Sequence, residues 1–145
     1  RKQLLHQFKT IDRSVLFATD SFWEGVDVAG EALRCVIIVK LPFQVPKEPL
    51  IQARMEAISV NGGNPFFDYS IPNAIVKFKQ GFGRLIRKKN DRGCIICLDS
   101  RLVTKPYGKF FLNSLPNCQK YFIDSLTMFK AMNDFYRKTY YLTKQ

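Results

Sequence analysis

The chain has 145 residues, 46% of them hydrophobic and 24% charged, a composition that supports an ordinary globular core and excludes wholesale disorder and collagen-like repetition. A domain of this length buries roughly 68–70% of the surface its unfolded chain exposes, so neither disulfide nor metal staples are required. The net charge of +11 sits wholly in the second half, where residues 73–145 carry 15 Lys/Arg against 4 Asp/Glu while residues 1–72 carry 8 of each, and that asymmetry points to phosphates, of a nucleic acid or of a nucleotide.

In chain order, Leu4, Leu5 and Phe8 recur at helical spacing and predict a helix over residues 2–9. Ser14 to Ala18 is a short apolar run that reads as a buried strand delivering Thr19 and Asp20 at its carboxyl end. Gly25 and Gly30 mark the next loop. Arg34 to Lys40 is β-branched and almost continuously apolar, which predicts a parallel strand buried on both faces. Pro42, Pro46 and Pro49 stop that strand, and a helix is predicted from Pro49 to about Val60. Asn61 to Pro65 is a turn by composition. Pro72 suits the first turn of a helix running from Asn73 to about Lys88, Gly93 to Leu98 reads as a third buried strand, and Tyr107 to Leu115 and Ile123 to about Tyr140 as amphipathic helices. Strands alternating with helices predict an α/β layered domain without internal repeat or linker, taken as one unit over residues 1–145.

No run of 18 apolar residues and no signal-peptide pattern occurs, so the protein is expected to be soluble and cytoplasmic, with no membrane partner. The chain opens on Arg1, within a helical pattern, and is expected to be a fragment of a longer protein. Cys35, Cys94, Cys97 and Cys118 lack framework spacing and are expected to be free thiols. Cys94 and Cys97 form a C-x-x-C, but on a strand positions i and i+3 face opposite ways, which favours two structural cysteines over a redox or zinc site. His6 is the only histidine, which speaks against Ser-His-Asp or Cys-His catalysis.

Two segments carry chemistry. In Ala18-Thr19-Asp20-Ser21-Phe22-Trp23-Glu24-Gly25-Val26-Asp27 a strand ends in acids, hydroxyls and a glycine, at the edge where open α/β sheets bind ligands. Such groups can hold ribose hydroxyls, metal-bound water or a sugar–phosphate backbone, although any polar loop after a strand has a similar look. In Gln80-Gly81-Phe82-Gly83-Arg84-Leu85-Ile86-Arg87, a helix at 100° per residue makes Ile75, Phe78, Phe82, Leu85 and Ile86 a core stripe and brings Gln80, Arg84 and Arg87 within about 60° of one another. Gly81 and Gly83 each cost about 1 kcal/mol in a helix interior, which suggests that something passes close to the backbone there. The planar, permanently charged guanidinium fork suits phosphate oxygens. A solvated basic face is the plainer alternative.

Together and in this order, the two segments resemble motifs V and VI of the C-terminal motor domain of superfamily-2 DNA helicases of the DinG/XPD-like group. Lys40-Leu41-Pro42-Phe43 with Pro46, Pro49-Leu50 and Ala53-Arg54, then Asp91-Arg92-Gly93, Leu98-Asp99-x-Arg101, Tyr107-Gly108 and Leu115-Pro116, are similar to the same group's pattern. The resemblance implies an α/β fold, a RecA-like three-layer sandwich with a mainly parallel sheet that is truncated at its N-terminus. It implies that Arg84 and Arg87 reach the γ-phosphate of ATP bound on the first motor domain and that Gln80 couples nucleotide state to closure. It places Glu24, Gly25 and Asp27 along the nucleotide and Thr19, Asp20 and Ser21 on single-stranded DNA. ATP and Mg²⁺ would be held mainly by the first motor domain, whose G-x-x-x-x-G-K-[ST] loop this chain does not contain. Any iron–sulfur cluster would lie outside this segment, and in a bacterium the protein would be nucleoid-associated. Truncation would leave a sheet edge open to self-association. The competing reading is a non-catalytic basic nucleic-acid-binding module.

Overall fold

The computed structural model describes residues 2–19, 22, 28, 32–45, 48–86 and 91–142, without the side chains of residues 139–142. Its elements are α1 (Lys2–Thr10), β1 (Cys35–Ile38), α2 (Pro49–Val60), a π-helical turn (Phe66–Ser70), α3 (Ile71–Leu85), β2 (Cys94–Cys97), α4 (Arg101–Thr104), α5 (Gly108–Ser114) and α6 (Ser125–Leu142). The two strands pair in parallel, with Cys35 opposite Cys94 and Ile38 opposite Cys97. Their carboxyl ends therefore share one edge, and the Leu98 N–H extends the ladder by donating to the Ile38 carbonyl at 2.9 Å.

The core forms where α3 and α5 cover one face of this pair. Ile71, Ala74, Phe78, Gly81 and Leu85 are the buried residues of α3, and their alternating spacing of three and four is that of one helix face. Phe78 meets Phe111 of α5 edge to face, with ring centroids 5.5 Å apart. Ile38 joins them, and Val36, Ile95 and Cys97 pack against the cluster from the strands. Gly93 stands where the chain enters β2 because a Cβ there would collide with the Leu85 side chain and the Arg34 carbonyl.

Two expectations fail at the sheet. Residues 14–18 form no strand: Val15 and Phe17 are 76% and 93% exposed, and among the described residues no neighbouring strand supplies the ladder hydrogen bonds that would hold them. The Arg34–Lys40 run is not buried on both faces either. Val36 and Ile38 point to the α3/α5 core, whereas Ile37 and Val39 are more than half exposed, and α6 reaches the opposite face beside Arg34. It does so through Tyr136, whose hydroxyl donates to the Arg34 carbonyl at 2.6 Å and whose ring lies 5.3 Å below the Arg34 guanidinium. Cys94 and Cys97 take opposite faces, as the strand period requires.

α3 departs from its expected boundaries in a way that matters for the site. It begins at Ile71, directly on the π-helical turn, and ends at Leu85; Ile86 is extended, with φ −113° and ψ 109°. The helical arithmetic that grouped Arg87 with Gln80 and Arg84 reaches past the last helical residue, and Arg87 itself lies outside the described residues. Ile86, assigned to the core stripe, is 41% exposed for the same reason. Gly81 is buried in the core face, while a Cβ on Gly83 would meet nothing within 4 Å. No described part of the chain approaches Gly83.

Candidate functional site

The site is built at the shared carboxyl edge of the strands. After β1 the chain runs Val39 to Val45 along a cavity of about 500 Å³, lined among others by Ala18, Lys40, Phe43, Gln44, Glu48 and Lys77. Ala18 is the first residue of the first chemical segment, so the start of that segment borders this cavity. Lys77, on α3 three residues before the second segment, borders it as well. At about 100° per residue, Lys77, Gln80 and Arg84 fall on one flank of α3, roughly 100° around the helix from the core stripe. A row of one ammonium, one amide and one guanidinium thus runs from the cavity to the end of the helix. Gln80 is exposed, Arg84 half-buried and Thr19 exposed. Thr19 accepts the Phe22 N–H through its carbonyl at 3.0 Å, leaving the threonine exposed at the turn. Asp20, Ser21, Glu24, Gly25 and Asp27 lie outside the described residues.

The cavity wall is fixed by a clip from β2. Asp99, one residue past Leu98, accepts the Leu41 N–H at 2.8 Å through Oδ2 and the Arg101 N–H at 3.0 Å through Oδ1. The Arg101 side chain donates Nε to Oδ1 at 2.9 Å and Nη2 to Oδ2 at 2.6 Å, the two-pronged geometry that makes such pairs strong. Its guanidinium also lies 5.4 Å over the Phe43 ring, and Phe43 stacks on Phe66 at 5.7 Å and abuts Tyr107 and Phe111. The backbone that follows β1 is therefore held from below by aromatic packing and from the side by a carboxylate. Sequence reasoning gave Asp99 and Arg101 no role. The signal available was an Asp-x-Arg at a strand end, but its partner Leu41 is 58 residues away.

The Arg101 hydrogen bonds, helped by the Leu41 and Arg101 N–H groups against the cost of burial, lower the Asp99 carboxyl from 3.8 to about 2. Its folded-state value lies below the unfolded one, so its stabilisation is complete above about pH 4 and is lost as pH falls from about 4 to 2. Asp99→Asn is expected to cost on the order of 1–2 kcal/mol at pH 7, discounted for the 40% exposure of Arg101, and almost nothing near pH 2. Urea unfolding of both proteins across that range checks this; a pH-independent difference would assign the effect to shape, not charge.

Among the described residues no group of three or more His, Cys, Asp or Glu could hold a metal ion, and no helix is long and apolar enough to cross a membrane. Gln44 lines the cavity with its side-chain Oε1 shielded from solvent and without a hydrogen-bond partner. The cavity lining thus places Lys40 and Lys77 together with the Glu48 carboxylate.

The profile of the helicase C-terminal domain family matches residues 1–118. Over 118 residues the chain is 56% identical to the ATP-dependent DNA helicase YoaA of Haemophilus influenzae, covering 81% of this chain and 18% of that protein. It is 54% identical to Escherichia coli YoaA over 114 residues, 79% of this chain and 18% of that protein. It is 46% identical to the Bacillus subtilis protein named 3′-5′ exonuclease DinG, over 79% of this chain and 12% of that protein. The chain thus spans less than a fifth of the length of these relatives. By the family match over residues 1–118 and the identity to relatives named YoaA and DinG, the chain belongs to the helicase C-terminal domain family.

Proposed function

We propose that this chain is the C-terminal portion of the second motor domain of an ATP-dependent DNA helicase, completing an ATP site whose phosphate-binding loop lies on the first motor domain. The observation that carries this reading is the flank of α3: Gln80 and Arg84 follow Lys77 away from the cavity that borders Ala18, so one helix connects the strand-binding and nucleotide-facing segments. In this reading Arg84, with Arg87, stabilises charge on the transferring γ-phosphoryl group. Such chemistry depends on positioning and positive charge more than on covalent catalysis by the protein. Gln80 couples nucleotide state to closure of the two domains. Glu24, Gly25 and Asp27 line the nucleotide, and Thr19, Asp20 and Ser21 engage the backbone of single-stranded DNA, with Lys40 and Lys77 adding positive charge at the cavity.

ATP and Mg²⁺ enter through the intact protein, where the metal would neutralise the phosphates on the first motor domain. The open space at Gly83 lies one residue from Arg84 and leaves room for the facing surface to approach α3.

The 145-residue chain alone is expected to bind single-stranded DNA weakly and to show no ATP turnover with or without it. Turnover by the purified chain, measured by phosphate release and unchanged after further purification, would refute the half-site reading. Tight and steeply salt-dependent strand binding without any need for a partner domain would instead favour a basic binding module.

A further inference from the structure

The parallel register brings together two cysteines that the helicase reading does not use. Cys35 and Cys94 are direct partners on adjacent strands, so their side chains leave the same face of the sheet, with Cα atoms about 4.8 Å apart by ladder spacing. That lies within the roughly 4.4–6.8 Å that a disulfide spans. Cys97 is paired with Ile38 and packs against the core on the opposite face, which separates it from this pair. Both Cys35 and Cys94 are free and only partly buried.

A third group completes the cluster. Tyr136 of α6 anchors its hydroxyl on the Arg34 carbonyl, which also accepts the Cys94 N–H at 3.0 Å. α6 lies beyond residue 118, where the family match ends, so the cluster ties that helix to the sheet.

We propose that Cys35 and Cys94 are a redox modification site, a dithiol that closes to an intramolecular disulfide in exchange with a small-molecule disulfide and loosens the Tyr136 anchor of α6. Both sulfurs are partly buried, and either thiolate can enter; with Cys94 entering, the exchange takes two steps. The Cys94 thiolate attacks one sulfur of oxidised glutathione; a mixed disulfide forms and one glutathione leaves as thiolate. The Cys35 thiolate then attacks the Cys94 sulfur and expels the second glutathione. Two electrons pass from the cysteine sulfurs to the oxidant, and the two thiol protons end on two molecules of glutathione. Burial raises both thiols above their ordinary value of 9.0, so closure is slow at neutral pH and its rate still climbs at pH 9, because only thiolates exchange.

The test is peptide mapping of the native protein after oxidised glutathione. Trypsin releases Cys35 in residues 35–40 and both Cys94 and Cys97 in residues 93–101. The expected product is one linked pair of these peptides, two hydrogens lighter than their sum, with fragment ions placing the bond on Cys94. Cys97→Ser should retain the link and Cys35→Ser should abolish it. Hydrogen exchange over residues 125–142 should quicken several-fold on oxidation. A bond on Cys97, or no link under conditions that oxidise the urea-unfolded protein, would overturn the site; unchanged exchange in α6 would overturn its coupling to the helix.

Discussion

Replacing Arg84 by alanine in the intact protein is expected to lower DNA-stimulated ATP turnover by about 10³–10⁵-fold, the range in which a trans-acting arginine operates in phosphoryl transfer, while single-strand affinity changes only a few-fold. The two quantities separate because Arg84 stands at the last turn of α3, seven residues beyond the Lys77 that borders the cavity. Arg84 is also half-buried, whereas its neighbour Lys79 is exposed. Steady-state phosphate release and fluorescence anisotropy with a labelled oligonucleotide measure the two effects independently. Near-normal turnover would overturn the assignment, and a parallel collapse of DNA affinity would move Arg84 to the strand-binding surface.

The second large effect concerns the floor of the same site. Phe111 is 0% exposed and its ring lies 5.5 Å from Phe78, 5.8 Å from Phe43 and 6.4 Å from Tyr107. Phe111→Ala removes a ring that α3, the post-β1 segment and the start of α5 all touch, and the surrounding rings are large and cannot close the void. A loss of about 3–5 kcal/mol is expected, equivalent to a fall in melting temperature of roughly 10 °C or more for a chain of this size. Phe110→Ala, one residue away and 44% exposed, should cost far less. Thermal denaturation followed by circular dichroism compares the two. Equal effects would mean that the aromatic cluster is not the centre of the core. Because Phe43 backs the cavity wall, the destabilised Phe111 variant should also lose strand affinity at temperatures where it remains folded.

Much of this architecture was legible locally. α2 matches its predicted Pro49–Val60 span, with proline at its start, and α5 falls within one residue of its predicted bounds. Helical spacing after Pro72 and the β-branched runs before Lys40 and Leu98 were sufficient to place α3 and both strands, because the periods of helix and strand are written into consecutive residues, although of the predicted stripe only Phe78 and Leu85 are buried. Thr19, Gln80 and Arg84 were singled out from the two chemical segments, and the roles proposed for them come from the family resemblance. α4 was not foreseen: it is a single turn, too short to show a period.

Other features depended on what a segment meets in space. Residues 14–18 have strand-like composition, yet a strand exists only where a neighbour completes its hydrogen bonds. The continuous apolarity of residues 34–40 suggested two covered faces, while the layers actually present decide that Ile37 and Val39 are exposed. α3 was drawn through Arg87 because nothing in the local pattern marks Leu85 as its last residue.

What the sequence determined by itself is therefore the longer helices and the two paired strands, the one-sided distribution of charge and the residue types able to meet phosphate. The tertiary structure alone decided where α3 stops, that Asp99 holds Leu41 across 58 residues, and that Cys35 stands abreast of Cys94 rather than Cys97. Helix and strand periods are fixed within a few neighbouring residues, whereas strand register and side-chain clips join positions distant in the chain, whose pairing is selected only when the whole core packs.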